Sequence, residues 1–518
     1  MQHRYRRAVL AASVVAAVAG GLLTVAPGAA VAAGSGVPSD FNGDGVQDLA
    51  VGAPGARVGG KVFGKGSDGI PGAGAVVAYY GGADGVSPAR HTYVDQDAAD
   101  GAGSSESYDL FGTSTATGDF DADGFADLAV SAPREDVPGD VDNGEVQILW
   151  GSPDGLGRGT VLADPAPARH DHFGAALAAG DFDGDGRTDL VVGSSSATLD
   201  IYKGGMTRDG TPGEIASRAL PLHGAADAGI LGLTAGDVDK DGRTDLVVDG
   251  LSDKADEAGV HHNTNYYLPG SPSGLTAIGS KRLSGGESQA IGDIDGDGFG
   301  DIAIGAFWGR TTADGPVGGR VVINYGSADG VSDRTQTLTQ ESGNIPGDSE
   351  QWDKFGAAVA LGDIDGDGRM DLAVGTEQED YRGSDGQMYY GKGSVTLLYG
   401  GSQGVDTTDR VQYFHQASPG VPGAWQSGRG WGSGLLMNDL TGDHRADVTV
   451  GSLWDDNGDG SATVLPSDGQ KASAEVPGVV RLRGKEAGMD PVDYPQFSAS
   501  LHTSRPLKDL VYQNAPAQ

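Results

Sequence analysis

The stretch DFDGDGRTDL at residues 181–190 occurs in near-copies seven times, and this recurrence limits what the chain can fold into more than any other feature. The copies read DFNGDGVQDL (40–49), DFDADGFADL (119–128), DFDGDGRTDL, DVDKDGRTDL (237–246), DIDGDGFGDI (293–302), DIDGDGRMDL (363–372) and DLTGDHRADV (439–448). Their starts lie 79, 62, 56, 56, 70 and 76 residues apart, so one supersecondary unit is repeated in an array. The typical copy sets Asp at positions 1, 3, 5 and 9 of a tight turn. Such close carboxylates repel one another unless a hard cation lies between them. Ca²⁺ suits them because it accepts about six to eight oxygens in flexible geometry, with a main-chain carbonyl at position 7 and a carboxylate able to use both oxygens at position 9. The plainer alternative is a β-turn whose Asp side chains fold onto their own backbone.

Around each loop the sequence alternates in short runs. An apolar stretch such as FGAAL (173–177) precedes the loop as strand A, and DLVVG (189–193) follows it as strand B. Strand C is clearest in GAVVAYYG (74–81), GEVQILWG (144–151), GRVVINYG (319–326) and GSVTLLYG (393–400), and strand D is the least regular. Period-2 alternation ending in an aromatic and Gly reads as a half-buried strand entering a turn. Four meandering strands repeated seven times predict an all-β, seven-bladed β-propeller of four-stranded antiparallel blades, since radial repetition leaves only short edges. The first repeat has no strand A before Asp40. Phe497-Ser-Ala-Ser-Leu501 imitates FGAAL, so this C-terminal strand is expected to close the ring by completing the first blade. The competing reading makes the C-terminal region a decayed eighth repeat.

Composition agrees with an array of this kind. The 518 residues carry 72 Asp plus Glu against 35 Lys plus Arg, and twenty-six of the acids lie in the seven loops. A formal charge of −37 excludes nucleic acid as a partner, because phosphate binding needs basic neutralisation. Residues 1–33 read as an export signal, with Arg4, Arg6 and Arg7 before an apolar run and Ala30-Val31-Ala32 as the cleavage site. Arg6-Arg7 leaves either the general or the twin-arginine route open. Residues 34–518 form the propeller, expected to be secreted, extracellular, monomeric and without a membrane span. The chain has no Cys, which excludes disulfides.

Phe173-Gly174, the Asp-rich loop, and DLAVGAP (48–54) or DLAVSAP (127–133) together resemble the FG-GAP repeat of integrin α-subunit head domains and of many exported bacterial proteins. The resemblance implies a seven-bladed propeller with Ca²⁺ in the loops between strands A and B, and a role in adhesion or ligand binding. Carried over, the ligands are Asp40, Asn42, Asp44 and Asp48, then Asp119, Asp121, Asp123 and Asp127, then Asp181, Asp183, Asp185 and Asp189. Asp237, Asp239, Asp241 and Asp245 follow, then Asp293, Asp295, Asp297 and Asp301, and finally Asp363, Asp365, Asp367 and Asp371, giving about six sites. The loop from Asp439 to Asp447 departs from the pattern, with Thr441 at position 3 and His444 in place of Gly.

Little else in the chain reads as chemistry. Gly400-Gly-Ser402-Gln-Gly404 spells the nucleophile-elbow motif, but the position recurs as the turn between strands C and D, so no catalytic residue is expected and the chain reads as a non-enzyme. His170, His172, His261 and His262 are expected at the solvated surface. In an up-and-down meander the B–C and D–A connections share the face opposite the Asp loops. The long connections fall there, at residues 55–73, 95–110, 307–318, 341–354, 377–392 and 416–430. Trp308, Trp352, Tyr389, Trp425 and Trp454 on this side are the candidates for contact with an extracellular protein or glycan, the alternative being that they pack on one another. A secreted polysaccharide-active enzyme and a lectin are the rival functions, because a fold does not settle what its surface does.

Overall fold

The computed structural model describes residues 37–59, 72–100, 103–137, 139–225, 228–307, 317–382, 388–423, 430–489 and 495–501. The expected export signal lies outside these residues, as do Trp308 and Trp425. Seven antiparallel blades follow one another, with no α-helix among the described residues. Blade three shows the plan: strand A at Ala176–Gly180, B at Asp189–Gly193, C at Thr198–Tyr202 and D at Ile215–Ala219, paired in the order A-B-C-D. Blades four to seven repeat it. Blade two adds a fifth strand, Ala99–Asp100, parallel to its strand D, because the incoming connection from blade one lies along that edge.

The aromatic of each FG pair is a wedge between neighbouring blades. Phe111, Phe173, Phe355 and Trp431 are all fully buried and pack against strand C of the preceding blade, as Phe355 does on Val321 and Ile323. The glycine that follows takes a positive φ of about 90° at Gly112, Gly174, Gly356 and Gly432. An added Cβ at Gly356 would stand 2.5 Å from the carbonyl oxygen of Arg320, so only Gly fits there.

The last described segment takes the same part in blade one. Phe497 bridges to Gly460 in blade seven, and it packs between Ala462 and Val464 of blade seven and Val51, Val77 and Tyr79 of blade one. The amide of Ser498 donates to the carbonyl of Gly52 at 3.0 Å, as Gly174 does to Gly193, and the Ser500 hydroxyl accepts from the amide of Gly52 at 2.7 Å. Phe497 to Leu501 thus closes the ring as the sequence predicts, although as one bridge and a 3₁₀ turn at Ala499–Leu501 rather than a full strand. Gln496 and Ser498 sit at positive φ, 53° and 85°, as His172 and Gly174 do at the same places in blade three, at 58° and 89°. The first three strands of blade one, Leu49–Ala53, Ala75–Tyr79 and His91–Val94, pair among themselves.

A second ring joins the blades on the Asp-loop side. The residue at loop position 2 is buried in the blade that follows, from Phe41 beside Leu128 to Leu440 beside Leu49. Six of the seven junctions also show a backbone bond from one loop to the preceding one, including Ala126 to Asp40, Met370 to Asp293 and Ala446 to Asp363. The bond from Gln47 to Asp439 closes this ring too, and the side chain of Gln47 accepts from the amide of Asp439 at 2.7 Å.

On the opposite side, buried amides brace one blade to the next. Gln96 Nε2 donates to Glu135 at 2.7 Å, Gln340 to Glu379 at 2.7 Å and Gln416 to Asp455 at 3.3 Å, each across 39 residues. Burial pushes the Glu135 and Glu379 carboxyls up to about 8.

Two stability changes are expected, both read by thermal or denaturant unfolding. Ser498→Gly relieves a side chain at positive φ and removes a buried hydroxyl without a partner, raising stability by about 1 kcal/mol. Gln340→Ala leaves the Glu379 carboxyl buried without its amide donor and lowers stability by roughly 2 kcal/mol.

Candidate metal centre

Each Asp loop is shaped by its own first residue. Asp181 Oδ1 accepts from the amides of Gly184 and Asp185, and its Oδ2 from Gly186, at 2.7–3.1 Å. The same set recurs at Asp40, Asp293, Asp363 and Asp439. Position 5 holds the far end of the turn, as Asp185 Oδ1 accepts from the amide of Arg187. Even the altered seventh loop keeps this shape, with His444 at φ 64° where the others have Gly.

Position 9 ties the loop to the rest of its blade. Asp48, Asp127, Asp189, Asp245, Asp301, Asp371 and Asp447 are all at most 1% exposed. Each Oδ2 accepts from the amide of loop position 2, and each Oδ1 from the residue two places after strand C, Gly81 in the first blade and Ser467 in the last. Burial outweighs these donors and pushes the carboxyls up, to about 6 for Asp189 and Asp245, about 7 for Asp48, Asp301, Asp371 and Asp447, and about 8 for Asp127.

The predicted ligands come together in five loops. One oxygen from each of Asp119, Asp121 and Asp127 lies within 4.8 Å of the other two. The sets at Asp181, Asp183 and Asp189, at Asp237, Asp239 and Asp245, at Asp293, Asp295 and Asp297, and at Asp363, Asp365 and Asp371 meet the same limit. A Ca²⁺ at about 2.3–2.6 Å from each oxygen spans pairs up to roughly 5 Å apart, so the spacing fits that ion. Asp121 Oδ1 and Asp295 Oδ1 are buried oxygens without a hydrogen-bond partner, as a ligand atom would be. In the first loop Asn42 supplies the position-3 oxygen, and in the seventh Thr441 has no carboxylate to offer.

The other candidates divide. Trp352 is 60% exposed at a backbone φ of 88°, whereas Trp454 is half-buried against Leu453 and Ala499. Tyr389 lies on a short hairpin, Tyr381–Arg382 with Met388–Tyr389, beside Tyr390, which is 70% exposed. Ser402 sits exposed in the turn between strands C and D of blade six, where no helix follows. His170 is buried rather than solvated, 3.5 Å from Asp164 and stacked on Phe173, because the connection into blade three folds over the blade edge.

Family models described as FG-GAP repeat match residues 32–79, 111–149 and 355–398, and one described as FG-GAP-like repeat matches residues 181–248. The chain carries FG-GAP repeats. In each of these segments the match takes in an Asp loop or the strands packed on it. This FG-GAP chain is 27% identical over 274 residues to Integrin alpha pat-2 of Caenorhabditis briggsae, covering 52% of the chain and 18% of that protein. It is 28% identical over 272 residues to Integrin alpha-5 of Xenopus laevis, covering 52% and 20%. It is also 34% identical over 160 residues to Phosphatidylinositol-glycan-specific phospholipase D of Rattus norvegicus, covering 31% and 18%. The FG-GAP chain therefore matches about a fifth of the length of these relatives. Among solved structures, rhamnogalacturonan lyase YesW aligns over 63% of the chain and 65% of its own at TM-score 0.31 and 14% identity, and the Dos1 propeller over 66% and 78% at 0.34 and 11%. Likenesses this remote bear on neither ligand nor chemistry.

The raised carboxyls give a pH test. Folded values above the unfolded 3.8 mean that the folded chain holds extra protons between about pH 4 and pH 8, so cation-free stability falls as pH rises through that window. A cation offsets the ionised form. The rise in melting temperature on adding Ca²⁺ is therefore expected to be larger at pH 8 than at pH 5. Glu135 and Glu379 on the other side add to the slope with and without Ca²⁺, so the difference between the two series isolates the Asp loops.

Proposed function

We propose that this chain is an exported, Ca²⁺-stabilised propeller that acts as an adhesion or ligand-binding module, taking an extracellular protein or glycan on the face opposite the Asp loops. The observation that carries this reading is the division of labour between the two faces. On one, loops, strand ends and neighbouring blades are hydrogen-bonded into a closed ring, which leaves little surface free to vary. On the other, long connections stand on a buried frame. In blade six the frame includes Gln340, Glu379, Asp353 and the 2.9 Å pair of Lys354 with Glu377, and it carries the exposed Trp352, Met388 and Tyr390. Exposed aromatics on a rigid support favour contact with a partner.

The similarity to integrin α-subunits supports adhesion, and the Asp clusters support Ca²⁺. The ions would be held by the five carboxylate sets and by the Asn42 loop, and their chemistry there is charge neutralisation. The protein's own residues form and brace the loops, so bound Ca²⁺ stabilises a shape already specified.

Binding of the mature chain to glycan arrays and to immobilised extracellular proteins tests the reading. Retained ligand that is lost by at least tenfold in Trp352→Ala, with unchanged melting temperature, is the expected result. Release of reducing ends or unsaturated sugars from polysaccharide would instead make the chain an enzyme.

A further inference from the structure

We infer that Arg334 and Arg410, helped by Arg208 and Lys203, are built-in counter-ions of the Asp loops. They hold the position-3 carboxylate when no cation is bound and weaken cation binding at their own loops. This rests on the Ca²⁺ reading above and deepens it.

The geometry recurs. Arg334 and Arg410 each stand immediately before strand D of their blade, and each guanidinium lies over the aromatic ring that follows strand C, 3.6 Å from the Tyr325 centroid and 4.0 Å from that of Tyr399. From there Arg334 pairs with Asp295 Oδ2, and Arg410 with Asp365 Oδ2 at 2.6 Å. Arg208 reaches the second loop from blade three, 5.7 Å from the Trp150 ring, and bonds Asp121 Oδ2 and Asp123 Oδ2 at 2.5 Å. In blade three Lys203 takes the place of the aromatic residue and lies 3.2 Å from Asp183 Oδ2. Only Oδ2 is engaged at Asp121 and Asp295, whose buried Oδ1 is left without a hydrogen-bond partner.

The pairing follows the carboxylate. Where position 3 is Asn42, the matching Arg90 donates instead to the carbonyls of Tyr80, Gly81 and Gly85. In blade four the nearest cation at the start of strand D, Lys281, turns to Asp333 of the next blade. Among the described residues no Lys or Arg forms an ion pair with Asp239, although Arg243 pairs with Asp241 of the same loop and lines the same open cleft of about 590 Å³. A divalent ion on Oδ1 of Asp295 or Asp365 meets a guanidinium on the other oxygen of the same carboxylate, and the repulsion costs about tenfold in affinity even at water-like screening.

The test uses the mature chain and its Arg334→Gln/Arg410→Gln and Arg334→Lys/Arg410→Lys variants, melted in EDTA and titrated calorimetrically with Ca²⁺. The Gln pair is expected to melt about 2–4 °C lower in EDTA and to bind two Ca²⁺ about tenfold more tightly, while the Lys pair stays close to the parent. Ca²⁺ binding by the parent with no change in the Gln pair, or with looser binding in it, overturns the counter-ion role. If the parent binds no Ca²⁺ yet the Gln pair melts lower in EDTA, the Ca²⁺ reading fails and the stabilising half of the inference stands.

Discussion

The whole propeller depends on an aspartate that water never reaches. At position 9 of every repeat a carboxylate is buried with its two oxygens accepting from two different parts of the backbone, the start of its own loop and the turn after strand C. Removing either donor would leave buried charge uncompensated, so the loop and the strand end are fixed together. Because the loop is fixed, its carbonyl can receive the next loop and its position-2 side chain can enter the next blade. The cost is a crowd of acids on one face. Burial is the main cause that raises these carboxyls, with neighbouring Asp adding to it, and internal cations and metal ions are the two ways to offset the crowding.

Much of this was legible in the sequence for a simple reason. Loop position, strand alternation and repeat period are local, and each is written several times, so a departure such as Thr441 stands out against the other copies. The closing segment was legible by imitation, since Phe497-Ser-Ala-Ser-Leu501 copies FGAAL. Its shape was not. It includes a 3₁₀ turn at Ala499–Leu501, and Ser498 takes the positive φ that Gly takes in the other FG pairs, which its sequence does not advertise.

What stayed hidden lies between repeats. The Gln96–Glu135, Gln340–Glu379 and Gln416–Asp455 braces join residues in different blades, and only their common offset of 39 could have revealed them. The Arg before strand D was visible as a recurring basic residue, but its target on the loop depends on how strand D runs back beside strand C. The division of the four aspartates into loop former, exposed acid and buried brace was equally invisible, because all four are the same residue. Aromatic candidates were the least readable, since exposure depends on how the long connections pack, and Trp352 and Trp454 come out differently.

Two rings thus hold the molecule: aromatic wedges that end with Phe497, and Asp loops that end with the contact of Asp439 with Gln47. The first is held by apolar burial and the second carries concentrated negative charge. Anomalous difference density from crystals of the mature chain grown with Ca²⁺ tests whether that charge is met by cations. Peaks among the carboxylates of the second to sixth loops, with none at Thr441 in the seventh, are predicted. An ordered, closed propeller with no density in any of those loops would contradict it.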